Sequence, residues 1–148
     1  MFEIPIKVID ENSQIEIPQP NRSGDAAADL RANESAIIAS GSRAIVGTGL
    51  AVAIPENACG LVLPRSGLAF KHGITVLNSP GLIDSGYRGE IKIILLNTSD
   101  EDFKVAVGDR IAQLLIVGLQ QVSYIQSKEL PAGPDERGEA GFGSSGVK

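Results

Sequence analysis

The chain has 148 residues, the length of one domain, and its single Cys59 excludes a disulfide framework or a cysteine-based zinc site within one chain. Thirteen Lys and Arg against 18 Asp and Glu leave a net charge of −5. That argues against a nucleic-acid polymer or an anionic membrane as the main partner, but not against one small anion held at a local cluster.

The first residues, MFEIPIKVIDENSQ, carry neither the basic nor the apolar region of a signal peptide, so a cytoplasmic location is expected. Apolar stretches such as residues 93–96 (IILL) and 114–117 (LLIV) fall far short of the roughly 20 residues of a membrane-spanning helix. Seventeen glycines and 8 prolines punctuate short Ile-, Val- and Leu-rich runs, which predicts an all-β sandwich or barrel. Residues 2–8 and 14–17 alternate apolar and polar, as half-buried strands do. Pro18, Pro20, Asn21 and Gly24 break the pattern, and residues 26–32 begin the next strand. Residues 43–54 are β-rich, with Gly47 and Gly49 signalling a bulge or a close backbone approach. Residues 55–60 (PENACG) read as a turn, 61–63 as a short strand, and 66–72 as a helical turn or two. Residues 74–77 and 91–96 are strong strands, with a loop over 78–89 between them. Residues 103–107 and 110–117 complete the strands around a Gly108-Asp109 turn. Residues 1–130 are thus read as one β domain. Residues 131–148 carry many glycines and only Phe142 and Val147 as large apolar residues, which predicts a mobile tail.

Several segments hold chemistry, each with an ordinary structural alternative. The tail matches G-x-G-x-x-G at Gly141-Phe142-Gly143-Ser144-Ser145-Gly146. A dinucleotide site needs a strand before that motif and a helix after it, and only Val147 and Lys148 follow, so that reading is rejected. A glycine-serine tail is ordinarily a solvated end. Arg137 and the lone Phe142 point instead to a phosphate clamp and a stacking lid. Pro64-Arg65-Ser66-Gly67 joins a strand to a helix start, which can bind an anion or simply cap a turn. In the segment from Gly81 to Glu90 (GLIDSGYRGE), Asp84 follows the apolar pair Leu82 and Ile83, and Gly86 and Gly89 bracket Tyr87. Each residue alone fits an ordinary hairpin, yet the glycines permit a backbone that presents amides and carbonyls to a planar base. Asp29 and Gln113 sit in buried-looking runs, where a polar group must be paired.

The order of these segments is more specific than any one of them. Ala27-Ala28-Asp29-Leu30-Arg31-Ala32, Pro64-Arg65-Ser66-Gly67-Leu68-Ala69, the segment from Gly81 to Ile91, Gly108-Asp109-Arg110-Ile111-Ala112-Gln113-Leu114 and the segment from Arg137 to Gly146 resemble the five motifs of the trimeric deoxyuridine triphosphatases. The resemblance runs from about residue 20 to residue 148, with Ala28 standing where many members carry a larger residue. It implies a jelly-roll subunit in a homotrimer, active sites at subunit junctions, and a glycine-rich C-terminal lid. It implies Mg²⁺-assisted hydrolysis of dUTP to dUMP and pyrophosphate, which keeps uracil out of DNA and supplies dUMP. It assigns Asp84 as the carboxylate that activates water, Tyr87 as the ring against the deoxyribose, and Asn78, Leu82, Ile83 and Lys92 as nucleoside contacts. Arg65, Ser66, Gly67 and Gln113 are then phosphate contacts. Arg137, Phe142, Gly143, Ser144 and Ser145 form the lid, and Asp29 meets the metal through water. Two alternatives are a deaminase of dCTP on the same fold, and a binding module without catalysis. The first would need a glutamate placed at the base and a different sequence after the catalytic turn.

Overall fold

The computed structural model describes residues 3–9 and 15–133. Short β-branched runs between turn residues form eleven strands and one helix among these residues. They are β1 (Ile6–Val8), β2 (Ala28–Arg31), β3 (Ala36–Ile38), β4 (Arg43–Gly47), β5 (Leu50–Val52), β6 (Ala58–Leu63), α1 (Ser66–His72), β7 (Ile74–Val76), β8 (Gly81–Ile83), β9 (Lys92–Asn97), β10 (Phe103–Val105) and β11 (Arg110–Gly118). Every strand pair is antiparallel. One sheet has the order β2-β11-β6-β8 and a second β4-β9-β7; the ribbons β1-β5 and β3-β10 complete the β structure. Period-2 alternation decides which side chains enter the core. In β9, Ile93 and Leu95 are buried, and in β11 Leu114 is buried while Gln113 and Leu115 face the other way. Leu30, Val62, Ile83 and Leu114 of one sheet meet Val46, Ile74, Val76, Ile93 and Leu95 of the other in a single apolar cluster.

The helix spans the residues expected from the sequence. Its last turn carries Lys71 and His72, suited to the carbonyl end of the helix dipole. The β-rich run over 43–54 divides into β4 and β5 at Thr48 and Gly49, where Thr48 Oγ1 donates to the Ile91 carbonyl at 2.7 Å in the interior. Three expectations change. The turn over 55–60 ends early, because Ala58, Cys59 and Gly60 are buried and pair with Gly118, Val117 and Ile116 of β11. Their small side chains hide a central strand from a hydrophobicity pattern. The loop over 78–89 contains β8, which pairs with β6 through Gly60↔Ile83 and Leu61↔Leu82. Ile15, Glu16 and Ile17 form no strand, and Gln14 lies outside the described residues; prolines 18 and 20 end any ladder there. The ribbon strand β3 went unread because only Ile38 of its three residues is buried.

At the end of β9, Asn97 is fully buried and fully bonded. Its amide donates to the carbonyls of Ile38 (2.9 Å) and Glu101 (2.8 Å), and its Oδ1 accepts from the Ser99 amide (2.9 Å) and hydroxyl (2.8 Å). Among the described residues no helix is long and apolar enough to cross a membrane.

Candidate active site

The hairpin after β8 builds the first half of the site. Ile83 is buried and anchors the strand end, so Asp84, next along the chain, emerges exposed. The Tyr87 amide donates back to the Asp84 carbonyl at 3.1 Å, closing a turn. Arg88 braces the tip, its Nη1 donating to the carbonyls of Ser85 (2.6 Å) and Tyr87 (2.8 Å). Among the described residues the Asp84 carboxylate has no ion pair and no side-chain hydrogen bond, so both oxygens are open to water. Beside the hairpin lies a cavity of about 200 Å³ whose lining includes Asn78, Leu82, Ile83, Tyr87 and Lys92. Sites for drug-sized ligands measure roughly 300–1,000 Å³, so this one suits a single planar ring rather than a whole nucleotide.

The second half is a cationic cluster. Asp29 on β2 lies opposite Gln113 on β11, and Gln113 lies opposite Leu63 at the end of β6. The chain then turns through Pro64 into α1, which brings Arg65, Ser66 and Gly67 to the same place. Arg65 Nε donates to Asp29 Oδ1 at 2.8 Å and its Nη1 to the Arg110 carbonyl at 3.1 Å. Arg110 Nη1 and Asn21 Nδ2 approach Asp29 Oδ2 at 3.4 and 3.2 Å. Gln113 Nε2 donates to the Pro64 carbonyl at 2.9 Å. Two guanidinium groups and an amide thus hold one half-buried carboxylate. The arginines are oriented before any ligand arrives, and one carboxylate neutralises only part of their charge. A cavity of about 460 Å³ opens over Asp29, Arg65, Ser66, Gly67, Arg110 and Gln113.

The two cavities share no lining residue among those described. Val62 lines the first and Leu63 the second. Neighbours in a strand point to opposite faces, so Val62 and Leu63 present opposite faces of β6 to the two cavities. The expected residues therefore divide into one group of Asn78, Leu82, Ile83, Asp84, Tyr87 and Lys92, and another of Asp29, Arg65, Ser66, Gly67 and Gln113. Expectations for Arg137, Phe142, Gly143, Ser144 and Ser145 lie outside the described residues.

The family model described as dUTPase matches residues 13–146, nearly the whole chain. The chain belongs to the dUTPase family. Within the family it is 47% identical over 148 residues to the deoxyuridine 5'-triphosphate nucleotidohydrolase of Clostridium acetobutylicum, covering 100% of this chain and 99% of that one. It is 49% identical over 135 residues to the Mesorhizobium japonicum enzyme of the same name, covering 88% and 83%. A mutant of the Staphylococcus bacteriophage 80alpha dUTPase, solved with dUpNHpp, superposes with a TM-score of 0.88 at 29% identity, over 99% of this chain and 100% of the other. The all-β jelly-roll expectation stands on that agreement.

For this dUTPase-family chain, two features of the site escaped the sequence. Arg110 sits inside a motif already singled out, but its contact with Asp29 spans 81 residues. Glu90 lines the ring-sized cavity, and its Oε1 accepts the Gly49 amide at 2.9 Å, 41 residues away. The paired glycines 47 and 49 were the signal for a close backbone approach, without naming what approaches.

Proposed function

We propose that this chain hydrolyses dUTP to dUMP and pyrophosphate, which removes the precursor of uracil in DNA and supplies dUMP. The observation that carries this is a ring-sized cavity lined by Ile83 and Tyr87, on the hairpin whose exposed Asp84 has no ion pair among the described residues, in a chain that also builds an arginine cluster. Phosphoanhydride cleavage needs a water in line with the breaking bond and neutralisation of developing charge. In this reading Asp84 orients and deprotonates the water that attacks the α-phosphorus. Asn78 and the backbone of the hairpin read the edge of uracil. Leu82, Ile83 and Lys92 line its cavity, and Tyr87 lies against the deoxyribose, leaving no space for a 2′-hydroxyl. Arg65, Ser66, Gly67 and Gln113 hold the phosphates. Among the described residues no group of three or more His, Cys, Asp or Glu could hold a metal. Asp29 keeps lone pairs beyond its contacts with Arg65, Arg110 and Asn21. That donor set fits a Mg²⁺ carried by the substrate's phosphates and reached by Asp29 through water. When bound, the ion supplies further neutralisation of the triphosphate.

The two cavities share no lining residue among those described, which supports a homotrimer in which each nucleotide takes its hairpin from one copy and its arginines from another. Residues 131–148 are read as a lid, with Arg137 and Gly143, Ser144 and Ser145 on the phosphates and Phe142 on the base. Deleting residues 137–148 is expected to lower kcat/KM for dUTP about tenfold or more, in the range that lost positioning produces. Full activity of the truncated chain would remove the lid. A dissolved nucleotide substrate also suits a cytoplasmic enzyme.

The deciding assay is release of pyrophosphate from dUTP, with dCTP and UTP as comparisons. Ammonia from dCTP, or no turnover of dUTP, would refute this function. Asp84→Asn and Arg65→Ala chains, each strongly impaired alone, should regain activity when refolded together, because some mixed sites then combine an intact hairpin with an intact arginine cluster. No recovery would place each site within one copy.

A further inference from the structure

The Tyr87 ring is held in an unusual way for an exposed aromatic. Its phenol end lies against Gly89 of its own hairpin: a Cβ built on Gly89 would stand 2.5 Å from Tyr87 Oη, 2.7 Å from Cζ and 3.1 Å from Cε2. A side chain at this position would have to displace the phenol end of the ring. Gly89 has no positive φ, so its backbone is open to alanine, and what a Cβ there would push aside is the Tyr87 phenol. The phenol is fixed as well, with Tyr87 Oη donating to the Glu90 carbonyl at 2.9 Å. That carbonyl belongs to the same peptide group as the Ile91 amide, which donates to the Leu50 carbonyl of β5 at 2.8 Å. One peptide group therefore links the phenol to the interior, and hydrogen bonds in series reinforce one another. Glu90 secures the same point, with Oε1 on the Gly49 amide at 2.9 Å and Oε2 3.5 Å from Lys92 Nζ.

We propose that Gly89 is a positioning residue for sugar selectivity: its bare α-carbon is the seat that keeps the Tyr87 ring at one depth in the cavity wall, so the wall excludes a 2′-hydroxyl. This rests on the reading above, in which the nucleotide is dUTP and Tyr87 faces the deoxyribose. It goes beyond that reading in placing selectivity partly on a residue that touches no substrate. An unseated ring would swing, and a swinging ring discriminates poorly between hydrogen and hydroxyl.

The test is the ratio of kcat/KM for dUTP to that for UTP in wild type, Gly89→Ala, Tyr87→Phe, Tyr87→Ala and the double variant G89A/Y87A. Gly89→Ala is expected to lower the ratio about tenfold, the scale of effect that ångström-size misplacement produces. Tyr87→Phe, which loses only the phenol bond, should lower it about fivefold. In the Tyr87→Ala background, adding Gly89→Ala should change nothing further, because the two positions act as one unit. A merely structural glycine would add its own penalty there. An unchanged ratio in G89A overturns the proposal, as does an additive effect in the double variant. If Tyr87→Ala itself leaves the ratio unchanged, the role of Tyr87 falls and the proposal with it. If Tyr87→Ala relaxes the ratio and Gly89→Ala does not, only the proposal falls. Should G89A fail to fold, G89A/Y87A, with no ring to collide with, is expected to fold; its failure would also overturn the proposal.

Discussion

Replacing Asp84 with asparagine is expected to lower kcat for dUTP by about 10²–10⁴-fold, the usual contribution of a positioned general base. The KM should stay within a few-fold of wild type. The substitution keeps the size and shape of the side chain. It leaves an amide that still accepts a hydrogen bond from water but no longer takes its proton. Little of the fold depends on the carboxylate, which is exposed and has no ion pair among the described residues; the turn there is made by the Asp84 backbone carbonyl and the Tyr87 amide. Steady-state pyrophosphate release gives kcat. Calorimetry with a non-hydrolysable dUTP analogue separates binding from turnover. A variant with wild-type kcat would show that Asp84 is not the base, and one that fails to bind the analogue would show that its role is binding.

The largest effect on stability is expected at Asn97. Asn97→Ala strands the Ile38 carbonyl and the Ser99 amide, while the Glu101 carbonyl keeps the Ser99 hydroxyl as a donor. Each group left unpaired costs roughly 1–3 kcal/mol, so a loss of about 2–6 kcal/mol is expected in all. Asn97→Asp is a sharper probe. It keeps an acceptor for Ser99 but points a carboxylate oxygen at two carbonyls that had been receiving hydrogen bonds. It should be at least as damaging as alanine. Urea midpoints for both variants, measured at one protein concentration because assembly shifts apparent stability, check this. A midpoint within experimental error of wild type for Asn97→Ala would mean that water replaces the amide there.

Local chemistry was legible in the sequence and long-range pairing was not. The helix over Ser66–His72 and the strands at Lys92–Asn97 and Arg110–Gly118 follow from runs whose pattern is complete within a few residues. The first half of β6 was hidden because Ala58, Cys59 and Gly60 carry little side chain, although their neighbours fix them as a central strand. Strand β8 was hidden by the same economy at Gly81. In the site, Asp84 and Tyr87 stood out because glycines and an apolar pair frame them. Asp29 stood out only as a carboxylate in a buried-looking run. Its hold on Arg65 reaches across 36 residues, and that on Arg110 across 81. Such contacts are set by sheet register, which single-residue patterns do not carry. The resemblance to the deoxyuridine triphosphatases supplied residue roles. The geometry adds how Asp29 holds the arginines, and that the Tyr87 phenol rests against Gly89.

Val62 and Leu63 look into different cavities, so β6 behaves as a partition with one residue's thickness of meaning. Inserting or deleting a single residue within it would turn each wall to the opposite chamber. Variation in this strand should therefore come as substitutions of like size, with changes in length confined to the connections on either side.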